Sequence, residues 1–304
     1  MPKTNIAFAE LVAATNYSFL RGASQPSDMV AQAIKLGMAG IGIADRNSVA
    51  GVVRAYVALR DASEGLPEEQ HGHFPFRLVV GARLCFVDDT PDMIAYPTTR
   101  YGWGRLTRLL TVGNLRATKG ECFLQLQDLL DHCEDLLLIA MADDSHAAVL
   151  KVLRDTVPDR VWLGVTMPRS GRDHRQLAKQ ASLARTLGIP MLATNDALYA
   201  EPDDRQLHDV LTCIREGTTI AEAGKLLAAN AERHLKPPEE MARLFKAYPE
   251  AIAASSDILA RIYFTLDDLR YEYPHEPIPE GWEAQDWLEH IVLEAAQERW
   301  PDGI

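Results

Sequence analysis

At 304 residues the chain is long enough to bury one large core, or a barrel with a smaller appendage. It is 47% hydrophobic and 24% charged, with no apolar run long enough to span a bilayer and no basic, apolar start of the secretory kind. A formal net charge of −12 argues against a nucleic-acid clamp, because phosphate backbones need a positive surface, so any DNA-directed role must rest on local basic patches, residues elsewhere or a partner. Cys85, Cys122, Cys133 and Cys213 are scattered without a CxxC pair, which predicts reduced thiols and a cytoplasmic setting.

In chain order, "ELVAATNYSFLRGAS" (Glu10 to Ser24) reads as a first strand feeding a tight turn. "QPSDMVAQAIKLG" carries turn and cap residues, then an amphipathic helix ending at Gly37. "AGIGIAD" is a buried strand ending in Asp45, followed by a helix over Val49 to Ala62 and a loop from Glu64 to Pro75. "FRLVVGARLCFV" and "DMIAYP" are two further strands, and a helix runs from Tyr101 to Val112. The pattern continues with strand "DLLLIAM", helix Asp144 to Thr156, strand "VWLGV", helix Asp173 to Leu187 and strand "IPMLATND". Repeated βα units favour a parallel sheet, and their number over about 200 residues favours its closure as a barrel.

After Tyr199 the chain turns to helices and loops. "PDDRQLHDVLTCIREG" is one helix, and "KPPEEMARLFKAYPEAIAASSDILARI" is two, broken at Tyr248-Pro249. A Pro-rich extended linker then leads into an amphipathic helix within "GWEAQDWLEHIVLEAAQERW". The expected organisation is a barrel over residues 1–200, its helical completion over 201–270, and a linker and first helix of a further domain over 271–304. The turn signal at Pro301 to Ile304 leads us to expect the amino-terminal part of a longer protein.

Several phrases carry a family likeness: "NYSFLRGAS", "RYGWGRLTRLLTVGN", "KGECFLQLQDLL", "LATNDALY", "LHDVLTCIREGTTI" and "AANAERHLKPPEEMARLF", followed by "LRYEYPHEPIPEG". They run in register from about residue 6 to the end. In this order the chain resembles the PHP (polymerase and histidinol phosphatase) domain of bacterial C-family DNA polymerase α-subunits, in particular the error-prone, ImuC-type branch. The resemblance implies a distorted (βα)7, TIM-like barrel followed by a helical segment leading to the polymerase body. In active members, histidines and carboxylates at the strand ends hold metal ions that activate water for phosphoester hydrolysis.

Carried over position by position, the resemblance implies that this metal site is lost. The two histidines of the first motif fall on Val12 and Ala14, and the acid after them on Arg21. The Asp-His pair after the second strand becomes Asp45-Arg46, and the acid of the GxE motif becomes Arg83. The next histidine falls on Asp92, a later ligand on Ala140, and the closing DxH on Asp196 and Leu198. Arginine donates hydrogen bonds but does not ligate a metal, and its fixed charge repels one. Two roles are open for Arg21, Arg46 and Arg83: an ionic network with Asp45, Asp92 and Asp196, or an anion pocket for phosphate or pyrophosphate.

Other signals have plainer readings. His71 and His73 imitate a displaced HxH in a polar loop. Asp143-Asp144, Asp203-Asp204 and Asp267-Asp268 read as helix caps, and His208 and His234 as satisfied histidines on helices after the barrel. The five tryptophans form no base-stacking ladder, although Trp282 and Trp287 could pack against further domains. The resemblance implies template-directed synthesis across damaged DNA by the full-length protein, with Mg²⁺ bound by palm carboxylates beyond residue 304. It further implies the polymerase body, a sliding clamp and a Y-family-like accessory protein as partners, with DNA held mainly by other domains and no membrane. An unusual active phosphoesterase or 3′–5′ exonuclease, and a stand-alone interaction module, are the rival readings.

Overall fold

The computed structural model describes residues 6–65, 75–269 and 277–301. His71 and His73 lie outside the described residues. Seven strands form one curled sheet in chain order: β1 (Ala9–Ala13), β2 (Gly40–Arg46), β3 (Arg77–Leu84), β4 (Met93–Pro97), β5 (Leu136–Ala140), β6 (Val161–Val165) and β7 (Met191–Ala193). The helices between them are α1 (Pro26–Lys35), α2 (Val52–Glu64), α3 (Arg100–Leu115), the short α4 (Leu126–Leu130), α5 (Ala147–Thr156) and α6 (Asp173–Leu187). Their apolar stripes cover the outer face of the sheet, where Met29, Leu106, Leu150 and Leu177 join one continuous core with Ile43, Leu138 and Leu163.

The sheet is not wholly parallel, which corrects the reading from repeated βα units. Strand β4 runs antiparallel to both β3 and β5, while the other neighbouring pairs are parallel. The connection from Cys85 to Asp92 is shorter than the dozen or so residues that a parallel crossover needs. Reversal brings Tyr96 of β4 into the barrel interior, where its hydroxyl donates to the Leu11 carbonyl at 2.9 Å. Gly42 and Gly81 make room for that ring, since a Cβ on either would collide with Tyr96.

The sheet curls until β7 approaches β1. Ala14 donates its N–H to the Ala197 carbonyl at 2.9 Å, and Ala13 bridges Ala197 in parallel. A side chain completes this seam. Glu10, buried within β1, accepts from the Val12 N–H at 2.8 Å, from the Asn195 N–H at 2.7 Å and from the Thr194 hydroxyl. Burial pushes the Glu10 carboxyl above its usual range despite these three bonds.

Beyond the sheet come α7 (Arg205–Glu216), α8 (Ile220–Ala223), α9 (Pro238–Leu244) and α10 (Pro249–Arg261). Pro249 opens α10 at its first position, as the break at Tyr248-Pro249 predicts. Helix α10 plugs the barrel: Ala254, Ile258 and Leu259 pack on Leu11, Val79 and Ile139 of the interior. Arg77, at the start of β3, donates to the Leu259 and Ile262 carbonyls and so satisfies the helix's last acceptors. The plug therefore fills the end where the parallel strands begin. The opposite end, where they finish, is left for a site.

His234 departs from its helical expectation. It lies in an isolated bridge to Tyr199 ahead of α9, in a turn where its Nδ1 meets the Ala231 carbonyl at 2.8 Å. Asp143 caps its turn by accepting from the Ser145 N–H at 3.0 Å, and Asp204 accepts from the Ser24 hydroxyl at 2.8 Å. Asp268 accepts from the Thr265 N–H at 2.9 Å, whereas Asp267 instead receives the Tyr56 hydroxyl. All four cysteines are free thiols. Met1–Asp268 form one compact unit and Leu269–Ile304 a second. The second carries α11 (Ala284–Arg299), on which Leu288, Val292 and Leu293 are exposed; Trp282 and Trp287 meet edge to face, ring centroids 5.4 Å apart. Among the described residues no helix is long and apolar enough to cross a membrane.

Candidate functional site

Strand direction decides which side chains reach the open end of the barrel. Ala14 follows β1, Arg46 ends β2, Arg83 lies near the end of β3, and Asp92 enters the reversed β4. Leu198 lies just past β7. These five, with Arg21 from the β1–α1 loop, line one cavity of about 300 Å³. Ser18, His208, Arg215 and Arg233 line it too. The sequence positions thus come together from five separate chain segments, as expected for groups at strand ends.

Val12, Ala140 and Asp45 stand apart from that cavity. Val12 is buried in the barrel interior, and Ala140 lies in the core between sheet and helices. Among the described residues Asp45 pairs with no arginine, which corrects its expected place in the ionic network. Its carboxylate accepts from the Thr15 N–H at 2.7 Å, the Thr15 hydroxyl at 2.8 Å and the Ser18 hydroxyl at 2.7 Å. The β1–α1 loop folds over Asp45 and satisfies it locally, so no guanidinium is required. Burial raises the Asp45 carboxyl above its usual range, against the pull of those bonds. Gly22 allows this loop its tight path, because a Cβ there would overlap the Thr15 carbonyl oxygen.

Asp196 is the centre of the network that does form. It sits in the left-handed region with φ 50° and receives both Arg83 and Arg233. Arg233 also donates through Nε to the Asp196 carbonyl at 2.9 Å. Asp92 lies 3.6 Å from Arg83 on the other side. Burial would push the Asp196 carboxyl up, but the Arg233 and Arg83 guanidinia more than offset it and hold the pKa below the carboxylate norm. Arg215 is tied to Glu216 at 2.9 Å and to the Leu20 carbonyl at 2.8 Å.

Arg21 and Arg46 behave differently. Among the described residues neither side chain has a carboxylate within 4.0 Å or a hydrogen-bond acceptor. Burial, then the nearby Arg46 and Arg215 charges, pull the Arg21 pKa down. The cavity is therefore cationic within a chain of net charge −12.

The residues do not fit a multi-metal centre. Among the described residues no three His, Cys, Asp or Glu groups converge so as to hold a metal ion. Asp92 and Asp196 are committed to arginines. Cys85, the nearby thiol, is pushed up to about 12 by burial and by Asp92, so the thiolate that a metal would need is disfavoured.

A family model described as the PHP domain matches residues 10–181. The chain belongs to the PHP family. This PHP chain is 48% identical over 296 residues to a protein of Brucella abortus named error-prone DNA polymerase, covering 96% of this chain and 27% of that protein. A Rhodopseudomonas palustris protein of the same name is 49% identical over 303 residues, covering 98% and 27%. The chain thus spans about a quarter of the length of the curated relatives it matches. Among solved structures, a protein of Pseudomonas syringae, PsfC, superposes with a TM-score of 0.38 at 13% identity, covering 81% of this chain and 98% of its own.

Some of the site was not read from the sequence. Arg215, Arg233 and His208 line the cavity from the helical part, far from any metal motif. Glu10 gave one usable signal, a single acid inside the apolar run "FAELVAA". It lies in a second polar cluster, in which buried Lys236 donates to Asn195 Oδ1 at 2.8 Å and faces Glu232 at 3.3 Å.

Proposed function

We propose that this chain is the PHP domain of an error-prone DNA polymerase, one in which an arginine–aspartate network occupies the barrel mouth in place of a metal site. The observation that carries the reading is Asp196 held between Arg83 and Arg233 where metal-binding groups would need to converge. Identity of 48–49% to proteins named error-prone DNA polymerase supports the attachment to a polymerase. In this reading the full-length protein extends primers opposite damaged templates, using Mg²⁺ held by carboxylates outside these residues, and localises to the cytoplasm.

The domain itself is catalytically inert and acts as a scaffold for the polymerase body and as a partner-binding surface. Phe19, Leu207, Val210 and Ile214 are exposed, and the last three lie along α7, which supports contact with other proteins. A sliding clamp and a Y-family-like accessory protein are the partners we assign to the complete protein. DNA would be held mainly by its other domains.

Metal analysis of the purified 304-residue chain tests the reading, together with hydrolysis of a chromogenic phosphoester under added Mn²⁺ or Zn²⁺. The expected outcome is substoichiometric metal, no hydrolysis and a melting temperature unmoved by EDTA. Two or more equivalents of bound metal with metal-dependent hydrolysis would overturn it in favour of an active phosphoesterase.

A further inference from the structure

The cavity at the barrel mouth has a charge imbalance that the network does not resolve. Five guanidinia line it, from Arg21, Arg46, Arg83, Arg215 and Arg233. Asp196 satisfies Arg83 and Arg233, Asp92 faces Arg83, and Glu216 holds Arg215. Asp45 is turned into its own loop. That leaves Arg21 and Arg46 near each other without an ion pair among the described residues, Asp92 acting on Arg21 only from beyond ion-pair distance.

Arg46 is exposed and Arg21 half-buried, so water screens part of their repulsion, but five guanidinia around one cavity leave an excess of positive charge that an entering anion would offset. We propose that this cavity is a binding site for a phosphoryl oxyanion, held chiefly by the Arg21 and Arg46 guanidinia. The inference rests on the metal-free reading of the barrel mouth given above.

Chemistry and size narrow the ligand class. Guanidinium forks match the oxygen geometry of phosphate, and two cations without an ion pair among the described residues balance the charge of a phosphate dianion. A cavity of about 300 Å³ lies at the small end of ligand pockets, so the occupant is a small phosphate or the phosphoryl end of a larger molecule. His208 adds a further unsatisfied group to this wall: the ring is buried and its Nδ1 has no hydrogen-bond partner among the described residues. Apolar Ala14, Leu198, Leu226, Leu227 and Ala228 share the remaining lining with Ser18 and Thr212.

The test is calorimetric titration of the 304-residue chain with inorganic phosphate at fixed ionic strength in chloride, repeated with a nucleoside 5′-monophosphate and its unphosphorylated nucleoside. Arg21→Gln and Arg46→Gln are the variants, because neither residue holds an ion pair among the described residues. Arg175→Gln, exposed on α6, is the control. We expect saturable phosphate binding that is roughly 10- to 100-fold weaker in each cavity variant and unchanged in the control. Relief of like-charge repulsion should leave the melting temperature of each ligand-free variant equal to or above that of the parent. Equal affinities for phosphate and the monophosphate assign the site to the free ion; tenfold tighter binding of the monophosphate assigns it to an ester.

Phosphate affinity within twofold of the parent in both cavity variants, or no saturable binding by the parent, overturns the proposal. Metal analysis of the same samples separates the two possible failures. A metal-free chain that ignores phosphate removes only the anion site. Phosphate binding that disappears with EDTA, together with stoichiometric metal, removes the metal-free reading itself.

Discussion

Replacing Asp196 by Asn tests whether its carboxylate is the counterion that holds the barrel mouth together. Asn tolerates the left-handed backbone at φ 50° about as well as Asp, so the substitution isolates charge from conformation. In the parent, one carboxylate that is 19% exposed serves Arg83, 15% exposed, and Arg233, 31% exposed. Removing one partner of a buried pair costs about 3–5 kcal/mol. The figure falls here because the Asn carbonyl still accepts one hydrogen bond, Asp92 still faces Arg83, and Arg233 is partly hydrated. We expect a loss of about 2–3 kcal/mol. With a urea dependence of about 3 kcal/mol per M, the unfolding midpoint at pH 7 falls by about 0.7–1 M. The pH dependence carries a sign of its own. The folded pKa of Asp196 lies below the ordinary 3.8, so its contribution is complete above that value and fades as pH falls beneath it. The gap between parent and variant should therefore close below about pH 3.8. A midpoint shift under about 0.3 M at pH 7, or a gap that widens in acid, would refute the assignment of Asp196 as the central counterion.

Two further perturbations address the seam and the loop. Glu10→Gln sets an amide N–H₂ against one of the three donors that Glu10 accepts, and should cost about 1–3 kcal/mol by thermal or chemical denaturation. Because the folded pKa of Glu10 lies above the ordinary 4.5, the parent loses stability as pH rises from about 4.5 through that raised value; the variant should lack this component, and parallel profiles would argue against it. Gly22→Ala pushes a Cβ onto the Thr15 carbonyl and disturbs the loop that satisfies Asp45; scanning calorimetry should show a loss of about 3 kcal/mol, roughly 6–12 °C, and an unchanged melting temperature would show that the loop relaxes freely.

Much of the architecture could be read along the chain because its signals are local. Apolar runs such as "AGIGIAD" and "DLLLIAM" became buried strands, and Pro249 broke the helical stretch where its missing N–H requires. The reversed β4 was not legible from the βα rhythm, since direction depends on whether a connection can cross the sheet. Of the ten positions carried over from the metal motif, six line the cavity, Val12 and Ala140 are core, Asp45 is held by its own loop and Asp196 by Arg83 and Arg233. Asp45 shows the limit of this reading: nothing in Asp45-Arg46 as a dipeptide tells that Thr15 and Ser18 will claim the carboxylate first.

The sequence by itself determined the identities of the side chains, and through the family resemblance the expectation that arginines and aliphatic groups replace most ligands, because residue identity sets what can ligate a metal. Which charges meet was decided only by the tertiary structure. Arg83 and Asp196 are 113 residues apart, and Arg233 arrives from the helical part beyond the sheet. Ion pairing depends on distance and burial, and those are fixed only when the sheet curls to bring the end of β7 beside β1 and leaves Arg21 and Arg46 facing one cavity without an ion-pair partner among the described residues.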